Sequence, residues 1–447
     1  MTHLSGSFVV ASRPLAVSLR GAVTIPVGAW FLTGFTSELE SLHGADAATV
    51  ALDTLTVAAG ADAGPNRFVI DGGSLSVCGS AMNTLAIYHL RGEDGSFLAF
   101  NDLFLARRLL EAAGLPAEYD AEAVASGGAP YAPLARVAAG ERLEISAADL
   151  SLRRTFAPTP LESGGPPSPD LKAAQRALFE ALDAAVGASL VPGEPVVHLA
   201  LSGGIDSGTI AALARRRGAR VQAWTVRTDW GDEVREATET ARFLDVPIEV
   251  VSVSTEDILA EVPSVVRYFF FAQPESVEIA LVASTLYRTL QTRDPSPRHF
   301  LTGYGSDLLN GGGVYEVPDE QTLEARIAAD VARTLGSNEF GNLAAHRYGV
   351  RASHPFWDDA VIRTALRTPG RFKLIGGEDK HFLREMMRGL LPDATVRRRK
   401  LAAHQGTGLA ARLCTALVPQ GADDGKLAYR RALLSLHRGI FHDGLFE

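Results

Sequence analysis

The run Leu201-Ser202-Gly203-Gly204-Ile205-Asp206-Ser207-Gly208 gathers the residue types best suited to chemistry in this chain. A mostly apolar stretch, Val196 to Ala200, precedes it, and the helix-like stretch Thr209 to Ala214 follows. A strand, a glycine-serine loop and a helix in that order make an anion cradle. The glycines let backbone N–H groups approach a phosphate, and the helix N-terminus adds the positive end of its dipole. Ser202 and Ser207 supply hydroxyl donors, and Asp206 supplies a hard oxygen ligand for Mg2+. The plain alternative is an ordinary Ser/Gly-rich strand-to-helix turn; the Asp-Ser pair after the two glycines favours the cradle. A second loop, Leu301-Thr302-Gly303-Tyr304-Gly305-Ser306-Asp307, leaves another expected strand. Asp206 and Asp307 would then stand at two strand ends, where two carboxylates can share Mg2+ with a pyrophosphate. Asp307 equally suits the cap of a helix starting near Leu308, and the two roles are compatible.

Strands and helices must alternate to present such loops. From Pro195 onward the pattern predicts strand 195–201, helix 207–217, strand 220–226, helix 232–244, strand 247–253, helices between 255 and 291, and strand 299–302. That alternation predicts a parallel sheet flanked by helices, with ligands at the C-terminal strand ends. Residues 320–440 read as mostly helical. Residues 1 to about 160 read as strand-rich, with short apolar runs at 7–11, 29–32, 67–70, 74–78 and 97–100, one helical run at 103–113 and a last strand at 142–145. The Pro/Gly/Ser-rich stretch 157–169 is the best linker, and an amphipathic helix, Leu171 to Ala188, follows it.

The chain has 447 residues, 46% apolar and 21% charged, which is enough for two or three domains with large cores. A net charge of −9 argues against a nucleic-acid backbone as partner, although Arg397-Arg398-Arg399-Lys400 is locally basic. Two cysteines, Cys78 and Cys414, suit a reducing compartment and exclude a disulfide scaffold or a cysteine-built metal site. No secretory signal or membrane span is expected, so the cytoplasm is the expected location. There is no GxxxxGK[ST] or HExxH pattern, and histidines 346, 354, 381 and 404 are scattered as structural residues are.

The Ser202–Ser207 loop resembles the SGGxDS pyrophosphate loop of enzymes that split ATP between its α- and β-phosphates. Together with the Gly303–Asp307 loop, His354-Pro355-Phe356-Trp357 and Lys380-His381-Phe382-Leu383-Arg384, in that order, it resembles the asparagine synthetase superfamily. The resemblance is good over residues 170–415 and loose over the first 160. It implies an α+β Ntn-hydrolase-like, glutaminase-like but inactive sandwich domain over 1–160. An α/β adenine-nucleotide alpha hydrolase-like (PP-loop) synthetase domain would follow over 170–447. ATP and Mg2+ are the implied cofactors. ATP would be held by Leu201, Ser202, Gly203, Gly204, Asp206, Ser207, Gly303 and Lys380, with adenine along Ala223 to Val226, and the metal by Asp206 and Asp307.

Tyr304 stands where asparagine synthetases usually carry Glu, so the loop looks like the β-lactam synthetase and carbapenam synthetase branch. There a Tyr–Glu pair deprotonates the substrate amine and a Lys steadies developing charge. Tyr304, Glu339 in Asn338-Glu339-Phe340, and Lys400 match these catalytic positions. Ala402, Ala403 and Gln405 depart from the branch's usual Gly, Val or Ile, and Glu. The second residue is Thr2 rather than the Cys of glutamine-dependent members, implying that the amine arrives with the substrate. The resemblance implies closure of a lactam ring in a small amino-acid-type substrate. Rivals are an intermolecular amide ligase, a lasso-type macrocyclase and an idle nucleotide-binding homologue. Glu278 reads either as a partner for a cationic substrate group or as a surface helix residue. Homo-oligomer formation is left open.

Overall fold

The computed structural model describes residues 8–13, 22–34, 43, 45–51, 57–58, 66–162, 167–190, 196–293, 298–399, 401–418 and 425–445. The expectations for Thr2 and Lys400 lie outside these residues.

Among the described residues, the first half forms two six-stranded antiparallel sheets. Its strands are β1 (Phe8–Ala11), β2 (Val23–Val27), β3 (Trp30–Gly34), β4 (Ala47–Ala51), β5 (Val57–Ala58), β6 (Arg67–Asp71), β7 (Ser74–Cys78), β8 (Tyr88–Arg91), β9 (Phe97–Phe100), β10 (Ala135–Arg136), β11 (Glu141–Ser146) and β12 (Leu152–Phe156). One sheet runs β10-β8-β9-β1-β3-β2 and the other β12-β11-β7-β6-β4-β5. Central strands β1 and β9 are buried at every position, so they are continuous apolar runs in the sequence. In β6, by contrast, Phe68 and Ile70 point inward while their neighbours are more exposed. β11 is not the last strand: the chain turns back through Leu150, at φ 52°, into the exposed, arginine-bearing edge strand β12. The helical run at 103–113 is a 3-10 turn, Leu103–Leu105, capped by the Asp102 side chain, running into the helix Ala106–Ala112.

The second half opens with the helix Leu171–Ser189, whose N-terminus is capped by Asp170. Its sheet comprises β13 (Val197–Ala200), β14 (Val221–Thr228), β15 (Gly231–Asp232), β16 (Ile248–Val253), β17 (Arg298–Leu301) and β18 (Val350–Ser353). The parallel strands lie in the order β16-β14-β13-β17-β18, with two-residue β15 antiparallel on β14. The chain winds outward from β13 through β14 to β16, then returns to place β17 on the other side of β13. The crevice outside the β13 and β17 ends is therefore the topological switch point, the usual ligand position in such sheets. β18 was read as part of a helical region: Val-Arg-Ala-Ser has little apolar character, and pairing with β17 makes it a strand.

One apolar core runs through both halves, from Trp30, Phe68 and Phe100 to Val265, Leu290 and Phe441. Phe441, in the helix Gly425–Phe441, packs its ring against Phe104 of the first half and Phe270 of the second. Among the described residues no helix is long and apolar enough to cross a membrane.

Candidate active site

Ser202 leaves the end of β13 and the helix Ile205–Arg216 begins three residues later. Gly203 makes the turn possible in two ways. Its φ is +73°, and a Cβ there would lie 2.5 Å from Glu236 Cβ and 2.7 Å from Ala237 N. Gly204 is the N-cap and offers no side chain to the first turn, so the helix-end N–H groups face the crevice without a side-chain cap. The two serine hydroxyls lie 3.2 Å apart, and Ser207 Oγ accepts from Ser202 N at 3.1 Å. Gly303, just past β17, presses against this turn: a Cβ would lie 2.5 Å from Ser207 N. The two loops named from sequence are thus in contact.

Lys380 joins them. Its side chain is fully buried, and its ammonium donates to Asp206 Oδ1 and Oδ2 at 2.7 and 2.6 Å and stands 2.5 Å from Asp307 Oδ1. Lys380 itself is held at φ 54°, a left-handed conformation that a lysine rarely adopts outside a constrained site. Asp307 belongs to the first turn of the helix Ser306–Asn310, whose N-cap is Gly305; the expected cap of a helix from Leu308 is not its role. The two carboxylates converge on one positive point, and with the serine hydroxyls they form an all-oxygen donor set, which fits Mg2+. Among the described residues no group of three or more His, Cys, Asp or Glu could hold a metal. Arg398, noted only as part of a basic run, donates to the Ser202 carbonyl at 3.5 Å and pairs with buried Glu233 at 2.8 Å. Buried Arg384 donates to the carbonyls of Val396 and Arg398 and pairs with Asp379 at 2.6 Å, fixing the strap that carries Arg398.

A cleft of about 200 Å3 opens beside the loops, floored by apolar residues of the helix Pro274–Arg293 and lined by Asp206, Tyr304, Asp307 and Glu339. The Tyr304 hydroxyl donates to Glu339 Oε2 at 2.7 Å. Burial, and then the Glu339 charge, push the phenol's pKa well above its usual range. Phe340 packs edge-on against Tyr304 at 5.1 Å and against His354 at 4.8 Å. Burial pushes His354 down to about 3, so it is neutral, with Nδ1 2.7 Å from Thr302 Oγ1. It supports the β17 loop, and the signal for it was the His354-Pro355-Phe356-Trp357 segment.

Two expectations meet the structure differently. Val226 is 6% exposed within β14 and is not among the residues lining this cleft. Glu278 is neither at the surface nor in the cleft: it is buried under the helix Gly425–Phe441, where it accepts a hydrogen bond from Tyr429. Ala402 and Ala403, two of the three departures, do line the cleft. Leu201 is buried at the strand end.

Residues 177–336 and 315–432 match the family model for asparagine synthase. The chain belongs to the asparagine synthase family. Within it, 252 residues are 32% identical to carboxyethyl-arginine beta-lactam-synthase of Streptomyces clavuligerus, covering 56% of this chain and 48% of that protein. A more distant relative is the glutamine-hydrolyzing asparagine synthetase of Brassica oleracea, 22% identical over 43% of this chain and 35% of its own. This family member thus matches about half or less of the length of those relatives, and it stands on the β-lactam synthetase side of the superfamily. Among solved structures, NMN synthetase from Francisella tularensis overlaps with 16% identity and a TM-score of 0.29, covering 62% of this chain and 94% of that one. That overlap is too loose to bear on the site.

Proposed function

We propose that the protein is an ATP-dependent, AMP-forming carbon–nitrogen ligase that closes a lactam ring, a β-lactam, within an amino-acid-type substrate. The observation that carries this is the Tyr304–Glu339 hydrogen bond, in the same cleft as the Ser202 loop and the Asp206 and Asp307 carboxylates. In the first step a substrate carboxylate oxygen bonds to the α-phosphorus of ATP and the bond to the β-phosphate oxygen breaks. The Ser202–Ser207 turn receives the departing pyrophosphate through backbone N–H groups and hydroxyls. Lys380 and Arg398 add positive charge on that side. Asp206 and Asp307 would hold Mg2+, which when bound supplies charge neutralisation for the pyrophosphate.

In the second step the amine of the same molecule attacks the acyl carbon, a C–N bond forms and the C–O bond to AMP breaks. The nitrogen gives its proton to Tyr304 Oη while the phenolic proton passes to Glu339. The phenol need not ionise first, which its raised pKa would prevent. Lys400 is assigned to the developing oxyanion by the branch resemblance. The strained ring draws its free energy from the acyl-adenylate and from held geometry. The first half is read as a glutaminase-like fold.

The test is mass spectrometry of the full chain with ATP, Mg2+ and a panel of β-amino acids. A product one water lighter than its substrate, formed with AMP and pyrophosphate, is expected. Product only when a separate amine is added would overturn ring closure in favour of an intermolecular ligase.

A further inference from the structure

The backbone just ahead of Glu339 is held from the other half of the molecule. Asn83 donates its side-chain N–H to the Leu335 carbonyl. Arg136 places Nη1 on the Gly336 carbonyl and Nη2 on the Ser337 carbonyl, both at 2.6 Å. Tyr88 Oη accepts from Asn338 Nδ2 at 3.4 Å. Arg136 and Tyr88 are register partners across β10 and β8, so one sheet edge presents both. The helix Glu320–Leu335 ends at these carbonyls, where unpaired C=O groups and the negative dipole end favour a guanidinium. Beyond them Glu339 N donates to Ser337 Oγ at 3.3 Å. The tyrosine side is held too: Met82 O accepts from Trp357 Nε1 at 2.9 Å, and the Trp357 ring lies 4.8 Å from Phe340, which packs on Tyr304.

We infer that Arg136 is a positioning residue for the Tyr304–Glu339 pair, and that the first half serves the second reaction step as a template for the Glu339 loop. This rests on the proposed role of that pair. A two-point guanidinium fork on consecutive carbonyls fixes both position and orientation of the strap, which a single donor cannot do. The charged groups around the phenol are Glu339, Asp307 and Glu275. Loss of the fork would let Glu339 leave Tyr304 without touching the ATP side.

The full chain labelled with 13Cζ-tyrosine tests this with no substrate, Tyr304→Phe identifying the resonance. In Arg136→Ala the Tyr304 resonance should shift and titrate at lower pH, because the Glu339 charge no longer opposes the phenolate. Arg136→Lys keeps the charge but not the fork and should shift the same way by less; it also serves if the alanine chain does not fold. On a substrate the parent cyclises, kcat for lactam formation should fall about 100-fold in Arg136→Ala, with ATP–pyrophosphate exchange unchanged. A lowered melting temperature with the Tyr304 signal and titration unchanged, or an Arg136→Lys chain matching the parent at Tyr304, would overturn the inference. Either result leaves the ligase reading standing. That reading fails separately if Tyr304→Phe still makes lactam.

Discussion

A protonated tyrosine can take an amine proton only if its own proton has somewhere to go, and in the proposed mechanism that place is Glu339, whose Oε2 accepts from the phenol at 2.7 Å. Tyr304→Phe and Glu339→Gln should each lower lactam formation by roughly 10^2 to 10^4 while leaving ATP–pyrophosphate exchange intact. Parallel loss of both activities would mean that the pair serves ATP binding instead. Lys380 makes a different kind of claim, because its buried ammonium is shared between two carboxylates. Lys380→Met leaves Asp206 and Asp307 facing each other, at a cost on the order of 3 kcal/mol. The 38% exposure of the Asp307 side chain keeps that figure from being larger. Millimolar Mg2+ should then raise the melting temperature of Lys380→Met more than that of the parent, since a ligand bound only by the folded state stabilises it. An equal response in both chains would remove the carboxylates as the metal site.

At the scale of elements, the site depends on two strand-end loops pressing together, and glycine decides whether they can. A Cβ at Gly303 would lie 2.5 Å from Ser207 N and 2.7 Å from Asp206 C, both backbone atoms that cannot move aside cheaply. At Gly204 the nearest atom is Ser202 Oγ at 3.4 Å. Gly303→Ala should lose about 1–3 kcal/mol in urea denaturation and with it nucleotide binding; Gly204→Ala should keep the parent's stability. Equal midpoints for the two variants would show that the loops are not packed this way. The strand-loop-helix unit around Ser202 was legible because its signals are contiguous: an apolar run, two glycines, then helix formers. β12 and β18 were not, because an arginine-bearing edge strand and a four-residue Val-Arg-Ala-Ser strand carry no alternation and acquire their conformation from a neighbour.

For the molecule as a whole, the shared core makes acid a threat to both halves at once. Burial lowers His89 to about 4 and His299 and His437 to about 3, against 6.5 in an unfolded chain. Between those values the unfolded chain binds more protons than the folded one. Stability is therefore full above pH 6.5 and lost as pH falls toward 4. Each histidine contributes on the order of 2 kcal/mol to the loss between pH 7 and pH 5. The urea midpoint should fall over that range, and less steeply in His437→Gln, whose parent residue meets the Tyr119 hydroxyl at 2.9 Å across the two halves. A flat midpoint from pH 7 to pH 5 would falsify the neutral-histidine account.

The sequence by itself determined what is local: the phosphate-loop turn, the alternation of strand and helix after residue 195, the strand-rich first half, and the residue types at Tyr304 and Glu339. These follow from glycine freedom, apolar periodicity and turn chemistry, all of which act within a few residues. Tertiary structure decided what those residues meet. Placing β17 beside β13 brings Asp307 to Asp206, and Lys380, 174 residues on from Asp206, pairs with both. Arg136 reaches the Glu339 strap across 200 residues, through a sheet edge whose pairing only the packed core selects. Such contacts leave no periodic trace in the chain, because burial and strand pairing, rather than neighbouring residues, choose the partners.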